Sequence, residues 1–314
     1  MTKFLIRIIL FGLIVFSIIF LLAMDLGKND YKSTYMAAMI DKHNRLSGLK
    51  SPRLIFVGGS STAFGVNSEE MENELGVSVT NMALIAGLGL DFILNETAAV
   101  MKSGDTIILA PEYYLDVEGN YELKVYTAKC FPEAKNYFNQ DYLKNVTTVK
   151  FKEIKDNLKI ISNQLFPKKL AVSDYHTIYN NRNSFNAYGD MVGHFSYGLP
   201  PSLNDKGKFA YRYYDGIDNL NRFYETAQQK GVKVFYVYHA YAESQYRQVA
   251  DVIEKYSSDL QNDMKIPILG QPTDFVYPDS LFFDTVLHLN KKGRELRTKK
   301  LLQLLHALSS DKKS

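Results

Sequence analysis

The sequence contains a single cysteine, Cys130, and no tryptophan. One thiol excludes an intramolecular disulfide framework and a zinc site built from several cysteines. The charges nearly cancel, with 37 basic against 34 acidic side chains, and no long basic run offers a surface for nucleic acid. No cluster of residues has the spacing of a metal site, and we expect neither a metal nor a cofactor.

Aromatic residues, in contrast, are abundant: 22 tyrosines and 19 phenylalanines among 314 residues. This load suits a surface that handles carbohydrate, although tyrosine-rich compositions also occur in ordinary cores. With 46% hydrophobic residues, the chain can bury a full core and still carry one large insertion.

Residues 1–24 predict a membrane helix. Lys3 and Arg7 lie in and before an apolar run that ends at Met24 and approaches the roughly 20 residues needed to span a bilayer. Because Ala23-Met24-Asp25 lacks the second small residue of a cleavage site, an uncleaved anchor is favoured over a cleaved signal peptide or a buried soluble helix. The positive-inside rule then predicts a single-pass protein of the cytoplasmic membrane with its domain on the periplasmic, extracytoplasmic side.

Residues 25–52 are polar and mixed, which predicts a juxtamembrane spacer. From residue 53 to 309 strands and helices alternate, and residues 310–314 form a tail. Unbroken apolar strands separated by helices predict a three-layer α/β/α sandwich, with a mostly parallel sheet of about five strands in flavodoxin-like order. The predicted strands are Leu54–Gly59, Val77–Leu84, Thr106–Ala110, Val232–Tyr238 and Ile266–Leu269; the predicted helices are Ser68–Leu75, Asp91–Met101, Asp215–Lys230, Glu243–Gln261 and Lys291–Leu308.

Residues 114–210 interrupt this alternation. The segment is aromatic and rich in asparagine, with one amphipathic helix expected near Val149–Leu165 and a loop from Phe185 to Pro201. Long insertions in compact domains are usually functional. We therefore expect a lid or a substrate wall.

The turn Gly58-Gly59-Ser60-Ser61 directly follows the first predicted strand. Glycine accepts positive φ without steric cost, so we expect the chain to turn sharply here. A hydroxyl at this point stands at the carboxyl end of the sheet, where open α/β folds bind ligands. Ser60 is therefore the candidate nucleophile, with Ser61 as an alternative nucleophile or helix cap.

A serine nucleophile needs a base that accepts its proton and a third group that orients the base. Of six histidines, His288 stands out because Asp284 precedes it by four residues, just before the last predicted helix. The carboxylate can bind one imidazole nitrogen while the other faces the serine. The plainer alternatives are a capping aspartate and a surface histidine.

Together these motifs resemble the SGNH/GDSL hydrolase superfamily. With Asn81–Gly89, Pro111-Glu112-Tyr113 and the terminal Asp284–Arg294 pattern, the resemblance narrows to membrane-anchored bacterial members tied to surface-polysaccharide modification, and it covers residues 53–116 and about 212–305. It implies that Ser60 is the nucleophile, His288 the base and Asp284 its orienting group. It also implies an oxyanion hole made by the backbone N–H groups of Ser60 and Gly87, with Gly89 as the alternative to Gly87.

The chain departs from the family pattern at three places. Pro111-Glu112-Tyr113 occupies the place of the family's Gly-x-Asn-Asp, so the asparagine that donates to the oxyanion is missing. Gly59 replaces the usual aspartate, and Asp284 and His288 are one residue further apart than usual. Losing one oxyanion donor costs about 3 kcal/mol of transition-state stabilisation. Glu112, Tyr113 and His239 are candidates for the pocket wall, and for Glu112 a structural acceptor role is favoured.

The predicted function is serine-dependent acyl transfer or ester hydrolysis on a cell-surface polysaccharide, in the manner of an O-acetyltransferase or acetylesterase, through an acyl-serine. A membrane-bound O-acyltransferase is a candidate partner. The alternative is a non-catalytic polysaccharide-binding or assembly protein that retains the fold. A dinucleotide site is disfavoured because Gly58-Gly59-Ser60 lacks the G-x-G-x-x-G spacing and Asn81 stands where an acidic ribose partner is expected.

Overall fold

The computed structural model describes residues 2–25, 31–139, 181–197, 202–204 and 208–310, together with the single positions 147, 154, 155 and 158. The predicted α/β organisation is confirmed, and strands and helices alternate along most of this part of the chain. The helices are α1 (Thr2–Asp25), α2 (Ala38–Gly48), α3 (Ser60–Gly65), α4 (Ser68–Leu75), α5 (Leu90–Val100), α6 (Tyr121–Cys130), α7 (Ile217–Gln229), α8 (Glu243–Asp263) and α9 (Lys291–Ser310).

Five parallel strands form the main sheet, in the order β2-β1-β3-β4-β6. Strand β1 lies near the middle and all five of its residues are buried, which explains the unbroken apolar run that follows Arg53. A second, two-stranded parallel pair joins β5 to β7. The strands are β1 (Arg53–Val57), β2 (Ser78–Asn81), β3 (Thr106–Leu109), β4 (Lys233–Val237), β5 (Tyr241–Ala242), β6 (Ile268–Leu269) and β7 (Val276–Tyr277).

Helix α1 is long and apolar enough to cross a membrane, and none of its apolar window Thr2–Leu21 is buried inside the protein. Its large side chains, such as Phe11 and Phe16, are exposed. The core of the domain therefore forms without them.

Residues 31–48 differ from the predicted spacer because they pack into the domain. Tyr35–Met39 are buried and join an apolar cluster with Phe64, Phe92 and Phe283. The segment contains polar residues, so its sequence predicts a solvent-exposed spacer. One of these polar residues, Lys42, is itself buried.

Lys42 joins α2 to the end of β2. Its Nζ donates hydrogen bonds to the carbonyl oxygens of Asn81 and Ala83, both at 2.8 Å, and to that of Gly189. Burial lowers the pKa of Lys42 to about 7, while nearby Asp190 acts in the opposite direction. Three carbonyl acceptors match the three donors of an ammonium group.

Part of the predicted insertion is integrated into the domain. Asp190 is fully buried and accepts hydrogen bonds from the N–H and Oγ of Ser68 and from Nδ2 of Asn81. The N–H of Met191 donates to the Ala63 carbonyl at 2.9 Å, directly behind the Ser60 turn. The segment 181–197, expected as a loop on a lid, thus supports the domain from within. The helix predicted near Val149–Leu165 falls mostly outside the described residues.

A buried ion pair closes the amino edge of the sheet. Arg53 and Asp105 are both inaccessible, and Nη2 of Arg53 lies 2.5 Å from Oδ2 of Asp105. Burial raises the pKa of Asp105, but hydrogen bonds from Arg53, Ser51 and the N–H of Lys102 outweigh this and hold it below its usual value. The carboxylate is therefore charged and fully paired.

Candidate active site

The Ser60 turn lies where the strand order changes direction. Strand β1 has β2 on one side and β3 on the other, so the carboxyl ends of β1 and β3 flank the crevice that open α/β sheets use for ligands. Ser60 follows β1 and Glu112 follows β3. The topology thus brings both residues to the predicted edge.

The glycines of this turn are needed because neighbouring atoms approach them closely. The positive φ angle expected from the sequence does not occur at Gly59. Gly59 has φ −91° and ψ −156°, an extended conformation open to other residues. A Cβ on Gly58 would lie 2.5 Å from the Ala110 carbonyl oxygen, and a Cβ on Gly59 would lie within 2.5 Å of both carboxylate oxygens of Glu112. Both positions therefore exclude a side chain on steric grounds.

Ser60, His288 and Asp284 form a continuous hydrogen-bonded chain. Nε2 of His288 lies 2.9 Å from Oγ of Ser60, and Nδ1 lies 2.9 Å from Oδ1 of Asp284. Since a carboxylate can only accept, Nδ1 carries the proton and the Nε2 lone pair accepts the serine O–H. This is the arrangement of a general base beside a nucleophile.

The four-residue spacing of Asp284 and His288 results from a tight loop before α9. The N–H of Phe283 donates to the His288 carbonyl at 2.7 Å, and Thr285 Oγ1 accepts the N–H groups of Leu287 and His288, both at 3.2 Å. These bonds close the loop so that both functional side chains leave it on the same side.

The aromatic ring of Phe64 forms the support for His288. The two rings stack with centroids 4.1 Å apart and an interplanar angle of 11°. Phe64 also contacts His194, with ring centroids 4.7 Å apart. Nε2 of His194 lies 3.0 Å from the carbonyl oxygen of Leu289. Burial lowers the pKa of His194 to about 3, so this neighbour is neutral. No sequence signal marked His194 as a support of the site.

Glu112 holds the turn that carries Ser60. Its Oε1 accepts the N–H of Ser61 at 2.9 Å, and its pKa is raised by burial while the N–H groups of Ser61 and Gly59 and the charge of His288 act to lower it. The carboxyl group occupies the space that a side chain at position 59 would need. The structural acceptor role predicted for Glu112 thus agrees with its contacts, and the Gly59 departure follows from it.

The surroundings of these residues distinguish Ser60 from Ser61 as the candidate nucleophile, and Gly87 from Gly89 as the candidate oxyanion donor. Ser61 is fully buried, whereas Ser60 is partly exposed beside His288. The N–H of Gly89 already donates to the Ala86 carbonyl at 2.9 Å. Within the described part of the chain, the N–H groups of Ser60 and Gly87 have no acceptor, which leaves them available for an oxyanion.

Tyr113 and His239 lie together but away from the cavity at Ser60. Nε2 of His239 accepts the N–H of Tyr113 at 3.1 Å and Nδ1 donates to the Ala240 carbonyl at 2.8 Å. Burial lowers the pKa of His239 to about 3. Both act as core residues, and much of the tyrosine load is likewise internal: fully buried rings include Tyr214, Tyr236, Tyr238 and Tyr256.

A cavity of about 210 Å³ opens at Ser60 and His288. Helix α6, inside the predicted insertion, contributes Leu123 and Tyr126, which fits the expected substrate wall. The sequence did not indicate the opposite wall, residues 34–36, because the surrounding segment looks like a spacer. Among the residues that the structure describes, no group of three or more histidine, cysteine or carboxylate side chains could hold a metal ion.

No protein-family model matches the chain, and no curated protein matches it.

Proposed function

We propose that the protein is a serine-dependent acyltransferase or esterase that acts on an extracytoplasmic polysaccharide through an acyl-serine intermediate. The observation that carries this proposal is the hydrogen-bonded chain Ser60–His288–Asp284 at the mouth of a cavity. The resemblance to the SGNH/GDSL superfamily supports it. The sheet order also supports a flavodoxin-like, three-layer arrangement of that type.

The mechanism has two displacement steps. Oγ of Ser60 attacks the ester carbonyl while Nε2 of His288 takes its proton, and Asp284 stabilises the resulting imidazolium. The N–H groups of Ser60 and Gly87 bind the oxyanion. The donor C–O bond then breaks, the leaving alcohol takes the proton from His288, and the acyl group stays on Ser60.

In the second step an acceptor replaces the donor alcohol. A glycan hydroxyl, or water, gives its proton to Nε2 of His288 and attacks the acyl-serine. Collapse of the tetrahedral intermediate returns the proton to Oγ of Ser60 and releases a new ester or a free acid. The first outcome is a transferase and the second an esterase, and both use the same residues.

The location of the substrate is inferred from α1. The helix can span a membrane, and Lys3 and Arg7 near its amino end favour a cytoplasmic amino terminus. Thr34, in the cavity wall, follows Asp25 by nine positions and therefore lies within about 30 Å of the end of α1. A site so close to the extracytoplasmic face of the membrane is well placed for a surface polysaccharide as substrate and for a membrane-bound O-acyltransferase as partner.

A non-catalytic polysaccharide-binding protein is the second candidate, and one observation favours it. Glu112 places a buried carboxyl group at the strand end where the family has a hydrogen-bond donor for the oxyanion. Oε1 of Glu112 already accepts the Ser61 N–H, so this side chain supplies no amide donor to an oxyanion.

Labelling with a fluorophosphonate probe separates the two candidates. The probe reacts with activated serines, so the full-length wild type should label, and Ser60→Ala and His288→Ala should not. Ser61→Ala is the matched control and should keep most of the labelling. Absence of labelling in the wild type, with normal surface polysaccharide in cells that carry Ser60→Ala, would establish the binding protein instead.

A further inference from the structure

The described residues that form the wall of the cavity at Ser60 include no lysine, arginine, aspartate or glutamate. The cavity measures about 210 Å³ and its wall combines five separate parts of the chain. Besides Ser60 and His288, the lining residues are Thr34, Tyr35, Met36, Ile85, Leu123 and Tyr126.

The polar atoms of this wall are directed at the protein itself. The Tyr35 hydroxyl donates to the Leu84 carbonyl at 2.8 Å. Thr34 Oγ1 donates to the Tyr31 carbonyl at 3.0 Å and lies 3.3 Å from Sγ of Cys130. Burial raises the pKa of Tyr35, so this phenol stays neutral. A guest in the cavity therefore meets mainly apolar surface.

We propose that this cavity holds the acyl chain of the acyl-serine and selects uncharged, straight-chain acyl groups of up to about eight carbon atoms. The assignment rests on the proposed function. An apolar cavity of about 150 Å³ holds the six carbons of benzene, so 210 Å³ has room for about eight. The cavity is thus larger than the acetyl group expected from the sequence requires.

The apolar wall also excludes one class of acyl group. An acyl chain that ends in an ammonium or a carboxylate would bury its charge without a partner, which is strongly unfavourable. Aminoacyl groups and half-esters of dicarboxylic acids are therefore disfavoured. The chemistry of the step is unchanged: the Ser60 Oγ–carbonyl bond forms, the donor C–O bond breaks, and the donor alcohol leaves with the proton from His288.

Leu123 is the side chain best placed to set the chain length. It comes from α6, lines the cavity, and packs so closely on Gly87 that a Cβ there would lie 2.9 Å from its Cδ2. A larger residue at position 123 shortens the cavity and a smaller one lengthens it.

The test uses the full-length protein in detergent micelles with p-nitrophenyl esters of straight-chain acids from two to twelve carbons. Wild-type kcat/KM should rise about four-fold for each added methylene and fall once the chain exceeds the cavity. The butanoyl ester should be used at least about ten-fold better than the succinyl ester, which has the same chain length and a charged end.

Variants at Leu123 locate the selectivity. Leu123→Phe should move the preferred chain to fewer carbons and Leu123→Ala to more. The same two changes at Leu296, an exposed leucine of α9, are the matched control and should leave the profile as it is. Because all variants are assayed in the same micelles, partitioning of the esters cancels.

The two possible failures give different results. If no ester is cleaved faster by wild type than by Ser60→Ala, the acyl-serine chemistry fails and the cavity assignment falls with it. If cleavage depends on Ser60 but the profile is flat, charged and neutral acyl groups react alike, or the Leu123 variants leave the optimum in place, then the cavity assignment alone is overturned.

Discussion

Replacing Glu112 and Gly59 by alanine, singly and together, tests whether the two residues share one space. Glu112→Ala removes the acceptor of the Ser61 N–H. A buried N–H left without a partner costs about 1–3 kcal/mol, so the free energy of unfolding should fall by about that amount. Labelling of Ser60 should slow, since the turn that carries it loses its support.

Gly59→Ala should have nearly the same effect by a different route. The backbone at Gly59 is extended, so alanine causes no conformational strain, but its Cβ lies within 2.5 Å of both oxygens of Glu112 and forces the carboxyl group away. The double variant provides the space that the new Cβ needs. Its destabilisation should therefore fall short of the sum of the single changes by about 1–3 kcal/mol.

The cycle is measured by urea unfolding of the full-length protein in micelles, with the rate of fluorophosphonate labelling as second readout. Full recovery is not expected, because the Cβ at position 59 also lies 2.7 Å from the Ala86 nitrogen. Glu112→Gln is the control that keeps one carbonyl acceptor and should be milder than Glu112→Ala. Strict additivity of the two alanine changes would refute the shared space.

Asp284→Asn should keep the shape of the site but lower the labelling rate by about 10³- to 10⁴-fold, since an amide favours the wrong imidazole tautomer; an unchanged rate would contradict its orienting role. Acid should destabilise the fold, because burial holds the pKa values of His194 and His239 at about 3 in the folded protein, so the unfolded chain binds protons first. Each histidine should lower the free energy of unfolding by about 1–2 kcal/mol between pH 6.5 and 5, measured by urea unfolding. His194→Gln should reduce this dependence on pH. Arg53→Met should lower the free energy of unfolding by about 3–5 kcal/mol by leaving Asp105 charged and buried, whereas Arg53→Met with Asp105→Leu should recover much of this loss.

The sheet and the hydrogen-bonded chain Ser60–His288–Asp284 were predictable because both depend on short patterns. Continuous apolar runs identify β1, β3 and β4, and α4 has the predicted bounds Ser68–Leu75 with Gly76 at φ +63° after it. Ser60 and His288 are 228 positions apart, but each stands at an element end that a parallel sheet brings to one edge.

What sequence reasoning missed are long-range polar contacts. Nothing local shows that Glu112 will fill the space beside Gly59, since that depends on the register of β1 against β3. Asp190 likewise looks like a loop residue until Ser68 and Asn81 are seen to donate to it. Such residues carry no periodicity, so propensity and hydropathy assign them to surface loops.

We expect residues 31–48 to be required for the folding of the domain, and two truncations test this. A chain that begins at Tyr31 loses only α1 and the few residues after it, and the apolar window of α1 contributes nothing to the core. A chain that begins at Arg53 also loses the buried segment Tyr35–Met39, the three hydrogen bonds of Lys42 and one wall of the cavity.

The shorter truncation should therefore fold and label at close to the wild-type rate in micelles. The longer one exposes Phe64 and Phe92, which pack against the lost segment, and leaves two carbonyls at the end of β2 without their donor. Its loss of stability should exceed the few kcal/mol of a single core substitution and approach the whole stability of a domain. Normal labelling and unfolding of the chain that begins at Arg53 would show that the segment is a spacer after all.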